Sequence, residues 1–283
     1  SSPLLMMAPR LVEALGESLA GEDLEPILIL DTETTGLNPK EDGVTEVGLV
    51  RGWLSKKTKR LLMIDCAISA FHDPGIPIPE KITQLTGVDN DMVAGKNARE
   101  SKVADLLGEM IYSDDPFENP VIVAHNAGFD RPFFDRLFPE YKDKVQWACS
   151  RSQIDWTGTH GFESAKQEYL LFKMGYFYEG HRTETDCIAL ATLLSGRHGS
   201  DFVSEMLENA FEDEYLVKAV GARFESKDDL KAEGMRWNPD EKIWFKRVSE
   251  SDLEGFIELL KGADSMIRPS VSLIPSTARF AES

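Results

Sequence analysis

The acidic side chains that could carry out chemistry in this 283-residue chain follow short apolar stretches. Asp31 and Glu33 come directly after residues 27–30, an apolar run typical of a buried central strand. Side chains two residues apart in a strand point to the same side, so these carboxylates are expected to be neighbours. They would repel each other, and a bound Mg²⁺ would relieve the repulsion. Alone, Asp-Thr-Glu is explained better by a helix cap and a solvated loop acid.

Two further segments place candidate groups beside apolar elements. Asp130 follows the apolar run 121–124 and would stand at the start of a helix, where capping is a common role. His181 and Asp186 lie at the start of another apolar helix, and a loop position is the ordinary explanation for His181. Together, however, four carboxylates and one histidine in one domain are typical of two-metal phosphoryl transfer. The histidine would be the general base.

The elements that must position these groups alternate between strands and helices. Apolar stretches at 44–53 and 61–70 predict a hairpin around a basic turn at 55–60. Helices are predicted over residues 101–111, 129–137, 164–174 and 185–194. This alternation indicates an α/β domain over residues 25–196.

The remaining segments are expected to form smaller units. We predict a helical extension at 1–24, a linker helix at 197–214, a small α+β domain at 215–262 and a flexible tail at 263–283. In the small domain, eight basic and six acidic residues between positions 215 and 248 interleave with aromatic side chains, namely Phe224, Trp237, Trp244 and Phe245. Aromatic residues among cations suit base stacking on single strands. They also suit the core of a small domain, which is the better explanation here.

Composition restricts the class of partner. The net charge of −18 argues against binding nucleic acid through the whole surface. Binding would have to be local, through metal ions, the cations of residues 51–60, Arg131 and Arg182. No apolar stretch of about 18 residues is present, which predicts no membrane span and no membrane partner. Three widely spaced cysteines argue against disulfides and a cysteine zinc site, and favour the cytoplasm.

In combination, the three acidic segments resemble the motifs of the DEDDh (DnaQ-like) 3′–5′ exonucleases. This family includes the proofreading subunits of bacterial replicative polymerases. ILILDTETTGL is similar to the first motif, VIVAHNAGFDRPFF to the second and HRTETDCIALATLL to the third, with His181 five residues before Asp186. The resemblance covers residues 25–194. It implies a ribonuclease H-like α/β fold, a mixed five-stranded sheet flanked by helices, beside the small α+β domain.

The resemblance also implies a role for each motif residue. Asp31 would bridge two Mg²⁺ ions, for which Mn²⁺ could substitute. Glu33 and Asp186 would hold the ion that carries the attacking water, and Asp130 would hold the second ion. His181 would take the proton from that water.

A second group of residues matches the positions that hold the terminal nucleoside in this family. These are Thr34, Thr35 and Leu37, with Asn126 and Phe129 as weaker candidates for lining the site. Phe129 is explained equally well as a core residue at a helix start.

The function implied is hydrolysis of terminal phosphodiesters from the 3′ end, releasing nucleoside 5′-monophosphates, with DNA favoured over RNA. Single strands and 3′ overhangs are the expected substrates. The alternatives are an exoribonuclease that trims RNA 3′ ends, a non-catalytic nucleic-acid- or polymerase-binding protein, and a hydrolase of a small nucleotide. A DNA polymerase is a candidate partner. Residues 167–172 (QEYLLF) also have a faint similarity to peptides that bind the sliding clamp, although helix packing explains them better.

Overall fold

The computed structural model describes residues 23–112, 121–195 and 201–281, which fall into two compact units. Among the described residues, the first unit contains those up to 210 together with 280 and 281, and the second contains residues 211–279. The predicted helical extension at 1–24 lies outside the described residues except for its last two positions. Leu24 already belongs to the first strand.

The first unit is built on a mixed five-stranded sheet in the order β3-β2-β1-β4-β5. The strands are β1 (Leu24–Thr34), β2 (Val44–Ser55), β3 (Leu61–Phe71), β4 (Val121–Ala124) and β5 (Gln146–Cys149). The first three pair antiparallel, whereas β4 pairs parallel with both β1 and β5. The predicted mixed five-stranded sheet is confirmed, and β1 is its central strand.

Helices flank this sheet. They are α1 (Glu80–Thr86), α2 (Asn90–Val93), α3 (Lys102–Ile111), α4 (Ala127–Leu137), α5 (Gln167–Lys173), α6 (Thr183–Leu194) and α7 (Phe202–Phe211). The four helices predicted from the apolar periodicity correspond to α3, α4, α5 and α6, with ends that differ by a few residues. None of the helices in the described ranges is long and apolar enough to cross a membrane.

The side chains of β1 alternate between two apolar cores. Ile27 and Ile29 pack in one core with α6 and α7, whereas Leu28 and Leu30 pack in the other with α3 and α4. The polar residues that follow continue this alternation. Asp31 and Glu33 therefore extend from the side of α6, and Thr32 extends from the side of α4.

Helix α7 corrects one predicted boundary. Phe202, Val203, Met206 and Ala210 on this helix are buried in the core that contains α6. The helix predicted within 197–214 is present as α7, but it packs into the core of the first unit and is not a separate linker. The spacing of these apolar residues is that of a helix with one face in a core.

The second unit contains a four-stranded sheet in the order β7-β8-β6-β9. Its elements are β6 (Glu214–Val220), α8 (Lys227–Ala232), β7 (Arg236–Asn238), β8 (Ile243–Ser249), α9 (Leu253–Ala263) and β9 (Arg268–Ile274). The flexible tail predicted for 263–283 was wrong over β9, because this strand pairs with all of β6. As an edge strand, β9 tolerates Pro269 and several serines, which had suggested a tail.

Candidate active site

A cleft of about 270 Å³ lies at the carboxyl end of β1. Because β1 and β4 are parallel, their carboxyl ends meet at one edge of the sheet. Helix α4 begins directly after β4, and α6 packs against β1. The cleft is lined by all five residues predicted to be catalytic: Asp31, Glu33, Asp130, His181 and Asp186. The structure thus brings these side chains together, while their individual roles stay predictions.

Three of the carboxylates form a compact cluster. Oxygen atoms of Asp31, Glu33 and Asp186 lie within 4.8 Å of one another. Burial and repulsion from the neighbouring carboxylates raise the pKa of Asp31 well above its usual value and raise that of Glu33 to about 8. Burial also raises the pKa of Asp186. Without a cation the three groups resist ionising together. Hard oxygen ligands of this kind suit Mg²⁺ and Mn²⁺, so the residues fit a divalent ion.

Asp130 is fixed by a residue that the sequence analysis missed. Asp130 is 3% exposed, and its Oδ1 accepts hydrogen bonds from the Thr32 amide at 3.1 Å and the Thr32 hydroxyl at 2.8 Å. Burial raises the pKa of Asp130 to about 7, although the bonds from Thr32 act in the opposite direction. Thr32 therefore connects α4 to β1 while Asp31 and Glu33 face the other side. The feature of the sequence that could have identified Thr32 is its position between two candidate metal ligands.

Asp186 lies in the first turn of α6 and is held by backbone and side-chain donors. The Arg182 amide donates to its Oδ2 at 3.0 Å, and the Tyr178 hydroxyl also bonds to the carboxylate. Gln167 Nε2 donates to the Tyr178 oxygen at 3.1 Å and to the Asp186 carbonyl at 3.0 Å. Tyr178 and Gln167 both line the cleft. Neither residue was predicted from the sequence to belong to the site.

Residues 167–172 form most of helix α5. Leu170 and Leu171 are fully buried in the core that contains α6, and Gln167 bonds to the site through Tyr178 and Asp186. Helix packing therefore accounts for the residues that faintly resemble a clamp-binding peptide.

Two histidines line the cleft, and their surroundings differ. The His125 Nε2 donates to the Ala165 carbonyl at 2.7 Å, and its Nδ1 accepts from the Ser150 hydroxyl at 2.8 Å. Burial lowers the pKa of His125 to about 4, so its ring is neutral at physiological pH. His181 is exposed and has a φ of 68°, a left-handed conformation rare for a residue other than glycine. His181 is thus the imidazole of the cleft that solvent reaches.

An ion pair between the exposed Arg182 and the buried Glu46 fixes the segment that carries His181. Glu46 on β2 is 1% exposed and stands opposite Glu33 in the strand register. Arg182 Nε and Nη2 donate to the two Glu46 carboxylate oxygens at 3.1 and 3.0 Å. This bidentate contact joins the residue after His181 to the sheet. Arg182 was predicted to attract substrate, but its guanidinium is already bonded to Glu46.

Gly48 allows α6 to approach the sheet closely. It pairs with Asp31 across β1 and β2, and a Cβ atom at this position would lie 2.6 Å from the backbone carbonyl carbon of Thr183. A larger residue would force the first turn of α6, and Asp186 with it, away from β1.

The positive charge near the site lies elsewhere than predicted. Arg131 is 1% exposed and bonds to Asp135 and the Lys142 carbonyl, so it belongs to the core of the unit. The cations of the hairpin are largely neutralised: Arg51 pairs with Asp65 and Glu109, Lys56 with Asp23, Lys59 with Glu25 and Arg60 with Asp201. By contrast, Arg151 and Lys166 are exposed and line the cleft. Neither residue was predicted from the sequence.

The residues predicted to hold a nucleoside separate into two groups. Asn126 and Phe129 line the cleft. The Thr34 hydroxyl donates to the Gly36 carbonyl at 2.6 Å and the Thr35 hydroxyl to Asp42 at 3.1 Å, so both shape their own loop. Leu37, in the same loop, is 83% exposed, which leaves this large apolar side chain available for a ligand.

A mixed sheet whose central strand ends in a cluster of carboxylates defines the ribonuclease H-like nucleases that act with divalent metal ions. The predicted ribonuclease H-like fold is confirmed. The family model described as exonuclease (RNase_T) matches residues 28–194, more than half of the chain. The chain therefore belongs to this family of exonucleases, which is of the DEDDh type and acts on nucleic acid.

The curated relatives are much longer proteins. The chain is 38% identical over 119 residues to the DNA polymerase III PolC-type of Caldanaerobacter subterraneus, and 35% identical over 112 residues to that of Clostridium perfringens. These segments are 42% and 38% of this chain. The matched part is only 7% of the length of either relative.

Two solved structures also resemble the chain. One is exonuclease X in complex with 5′ overhanging duplex DNA, with 21% identity and a TM-score of 0.44 over 65% of this chain and 98% of that chain. The other is the nuclease domain of 3′hExo, a DEDDh family member bound to rAMP, with 18% identity and a TM-score of 0.47 over 64% and 96%.

We predict that Arg182→Gln destabilises the metal-free protein by about 2 kcal/mol, because it leaves the buried Glu46 carboxylate beside Glu33 without its half-exposed partner. The double variant Glu46→Gln/Arg182→Gln should recover more than half of this loss. Urea denaturation in EDTA measures the unfolding free energies. The matched control is Arg99→Gln, which breaks an exposed pair with Glu140 and should cost less than about 1 kcal/mol. An equal loss in the single and double variants would contradict the proposed dependence of Arg182 on Glu46.

We predict that Glu33→Gln stabilises the metal-free protein at pH 8 by about 1–2 kcal/mol. A carboxyl group whose pKa rises from 4.5 to about 8 on folding contributes stability below pH 4.5, and loses it as the pH rises to about 8. The unfolding free energy of the variant, measured in EDTA across this range, should therefore fall less steeply with pH. Glu41→Gln, at an exposed loop position, should keep the steeper dependence. The same slope in Glu33→Gln and the unaltered protein would show that Glu33 is not the group under repulsion.

Proposed function

We propose that this chain is a metal-dependent 3′–5′ exonuclease that releases nucleoside 5′-monophosphates, with DNA as the favoured substrate. The observation that carries the proposal is the meeting of Asp31, Glu33 and Asp186 within 4.8 Å in a cleft that also holds Asp130 and the exposed His181. Three carboxylates at this separation are a binding site for a divalent cation. An exposed imidazole in the same cleft supplies a base.

The carboxylates of the cleft would hold the metal ions. Asp31, Glu33 and Asp186 would bind one Mg²⁺ or Mn²⁺, and Asp130 with Asp31 would bind a second. When bound, the ions would lower the pKa of a water molecule and neutralise charge on the phosphate. Thr32 orients Asp130 for this task, while the Tyr178 hydroxyl and the Arg182 amide orient Asp186.

His181 would take the proton from the attacking water on an imidazole nitrogen. The water oxygen would form a bond to phosphorus, the bond to the 3′ oxygen of the preceding nucleotide would break, and that oxygen would take up a proton from solvent water. A nucleoside 5′-monophosphate leaves, and the shortened strand ends in a 3′-hydroxyl. His125 cannot share this role, since both of its ring nitrogens are bonded and its pKa is lowered to about 4.

Arg151 and Lys166 would supply the positive charge that the strand requires at the cleft. Both side chains line it, and neither pairs with a carboxylate among the residues that the structure describes. Thr34, Thr35, Leu37, Asn126 and Phe129 remain our candidates for holding the terminal nucleoside.

DNA is favoured because the curated relatives are DNA polymerases, and the matched part is a short segment of each. An association with a DNA polymerase is proposed on the same ground. The buried leucines of α5 give no support to a sliding-clamp peptide.

The test uses DNA and RNA single strands of the same sequence, labelled at the 5′ end, with Mg²⁺, Mn²⁺ or EDTA. A DNA duplex with a 3′ overhang is run beside them. We expect a ladder that shortens from the 3′ end with either metal and no products in EDTA. Chromatography should identify nucleoside 5′-monophosphates. Asp31→Asn should lower the rate by about 10³-fold or more, because it removes a ligand that is shared by the metal ions.

Asp91→Asn, an exposed position on α2, is the matched control and should retain full activity. Cleavage by Asp31→Asn at an unchanged rate would contradict the proposed site. Faster cleavage of RNA than DNA would favour the exoribonuclease alternative. Binding of nucleic acid without any cleavage would favour a non-catalytic protein on the same fold.

A further inference from the structure

The sheet of the second unit has one face that its own helices do not cover. Val217 and Ala219 on β6 are buried in a core with Leu230 of α8 and Leu260 of α9. Because strand side chains alternate, the residues between them point to the opposite side. We call this opposite side the open face.

The strand register identifies the side chains of the open face. Lys218 stands opposite Phe245 on β8 and Ser270 on β9, and Phe245 stands opposite Arg236 on β7. Directly opposed residues of antiparallel strands share a face, so this row crosses all four strands. A second row runs through Arg247, Leu216 and Ser272, and Val220 with Arg268 lies beyond the first row.

The open face is basic in a strongly acidic protein. It carries four cations, Lys218, Arg236, Arg247 and Arg268, in a chain of net charge −18. The four strands contain one acidic residue, Glu214, which lies at the start of β6 and pairs with Arg279. Lys218 pairs with Glu241 of the adjoining turn. Within the described part of the chain no carboxylate pairs with Arg236 or Arg247.

The structure also divides the aromatic residues of this unit. Trp244 packs against the core, and Trp237 lies beside it with ring centroids 5.5 Å apart. Phe245 lies on the open face, between Arg236 and Lys218. Of the four aromatic residues predicted to form the core, Trp244 packs against it, Phe224 and Trp237 are exposed, and Phe245 is half-buried on the open face.

We propose that the open face binds single-stranded nucleic acid, with a base stacked on Phe245 and phosphates beside Arg236 and Arg247. Arg236 and Arg247 are exposed, and Phe245 is half-buried. An aromatic ring that solvent still reaches, set among exposed cations, provides both the stacking surface and the charge that a single strand needs. Phe245 and Arg247 are two residues apart in β8, about 6.8 Å, a length comparable to one extended nucleotide. The serines of β9 leave room for the strand.

This proposal rests on the proposed function only in the choice of ligand, since the same strand would be the substrate. The cleft would bind the nucleic-acid strand locally. A second binding surface on the same chain would keep the strand bound to the protein between cleavages. The expected consequence is tighter binding of long strands, without any effect on the hydrolysis of a small ester.

The test measures fluorescence anisotropy of labelled oligodeoxythymidylate with the full-length protein in EDTA, so that binding does not depend on catalysis. Phe245→Leu keeps the apolar volume and removes the ring, and should weaken binding about fivefold or more. Arg236→Gln/Arg247→Gln should weaken binding and reduce the slope of log K against log salt by about 1.4.

The matched controls are Trp237→Leu, on the other side of the sheet, and Lys231→Gln on α8. Both should bind as the unaltered protein does. Thermal melting checks that each variant is folded. Hydrolysis of the nitrophenyl ester of thymidine 5′-monophosphate with Mn²⁺ reports on the cleft alone and should be equal in all variants.

Unchanged DNA binding in Phe245→Leu would overturn the proposal. An acidic protein would then be the favoured ligand of the cations on the open face. An equal loss in Trp237→Leu would overturn it as well, because the effect would not be specific to this face. If no variant, including the unaltered protein, hydrolyses the ester, the proposed function fails while the binding result still stands.

Discussion

Repulsion between the half-buried carboxylates of the cleft is the constraint on which the first unit depends. Burial and the charges of its acidic neighbours raise the pKa of Asp31 well above its usual value, and the same causes raise that of Glu33 to about 8. A protein that holds such groups together has to obtain the stabilising free energy elsewhere. Here it comes from β1, which pairs with β2 along its whole length and contributes alternate side chains to two apolar cores. A bound cation would turn the repulsion into attraction, so the same arrangement favours metal binding.

Hydrogen-bond donors of neighbouring residues hold the acidic side chains in position. Thr32 joins Asp130 to the central strand, and the Arg182 amide joins Asp186 to the loop that carries His181. The Arg182 guanidinium is in turn bound by Glu46 on β2. Gly48 allows the backbone of α6 to approach β2 without a side chain between them. Each contact spans two elements, so a change at any of them would move a carboxylate or the histidine.

What could be predicted from the sequence was local in character. Strand alternation places Asp31 and Glu33 on one side, and the helix start places Asp186 in a first turn. These features depend on neighbouring residues alone. The Thr32–Asp130 and Glu46–Arg182 contacts join residues 98 and 136 positions apart, and no single-sequence pattern reveals them. Arg131 shows the same limit, since its place beside a motif suggested substrate contact and its buried pair with Asp135 became visible only in the fold.

Strand β9 shows why part of the segment 263–283 was wrongly predicted to be a flexible tail. Prolines and serines are typical of tails, yet here they occupy an edge strand that is defined by its pairing with β6. That pairing completes a sheet with a basic open face in a chain of net charge −18. The open face and the cleft, with Arg151 and Lys166, are therefore two places where cations are exposed in an acidic chain.

The most direct test of the central claim is anomalous scattering from crystals soaked with Mn²⁺ and thymidine 5′-monophosphate. The proposed site predicts one anomalous peak bonded to oxygens of Asp31, Glu33 and Asp186, and a second beside Asp130 with the nucleotide phosphate between them. Both peaks should disappear in Asp31→Asn. Ordered nucleotide in a cleft that contains no anomalous peak, or a peak bonded to none of these carboxylates, would contradict a metal-dependent centre at the end of β1.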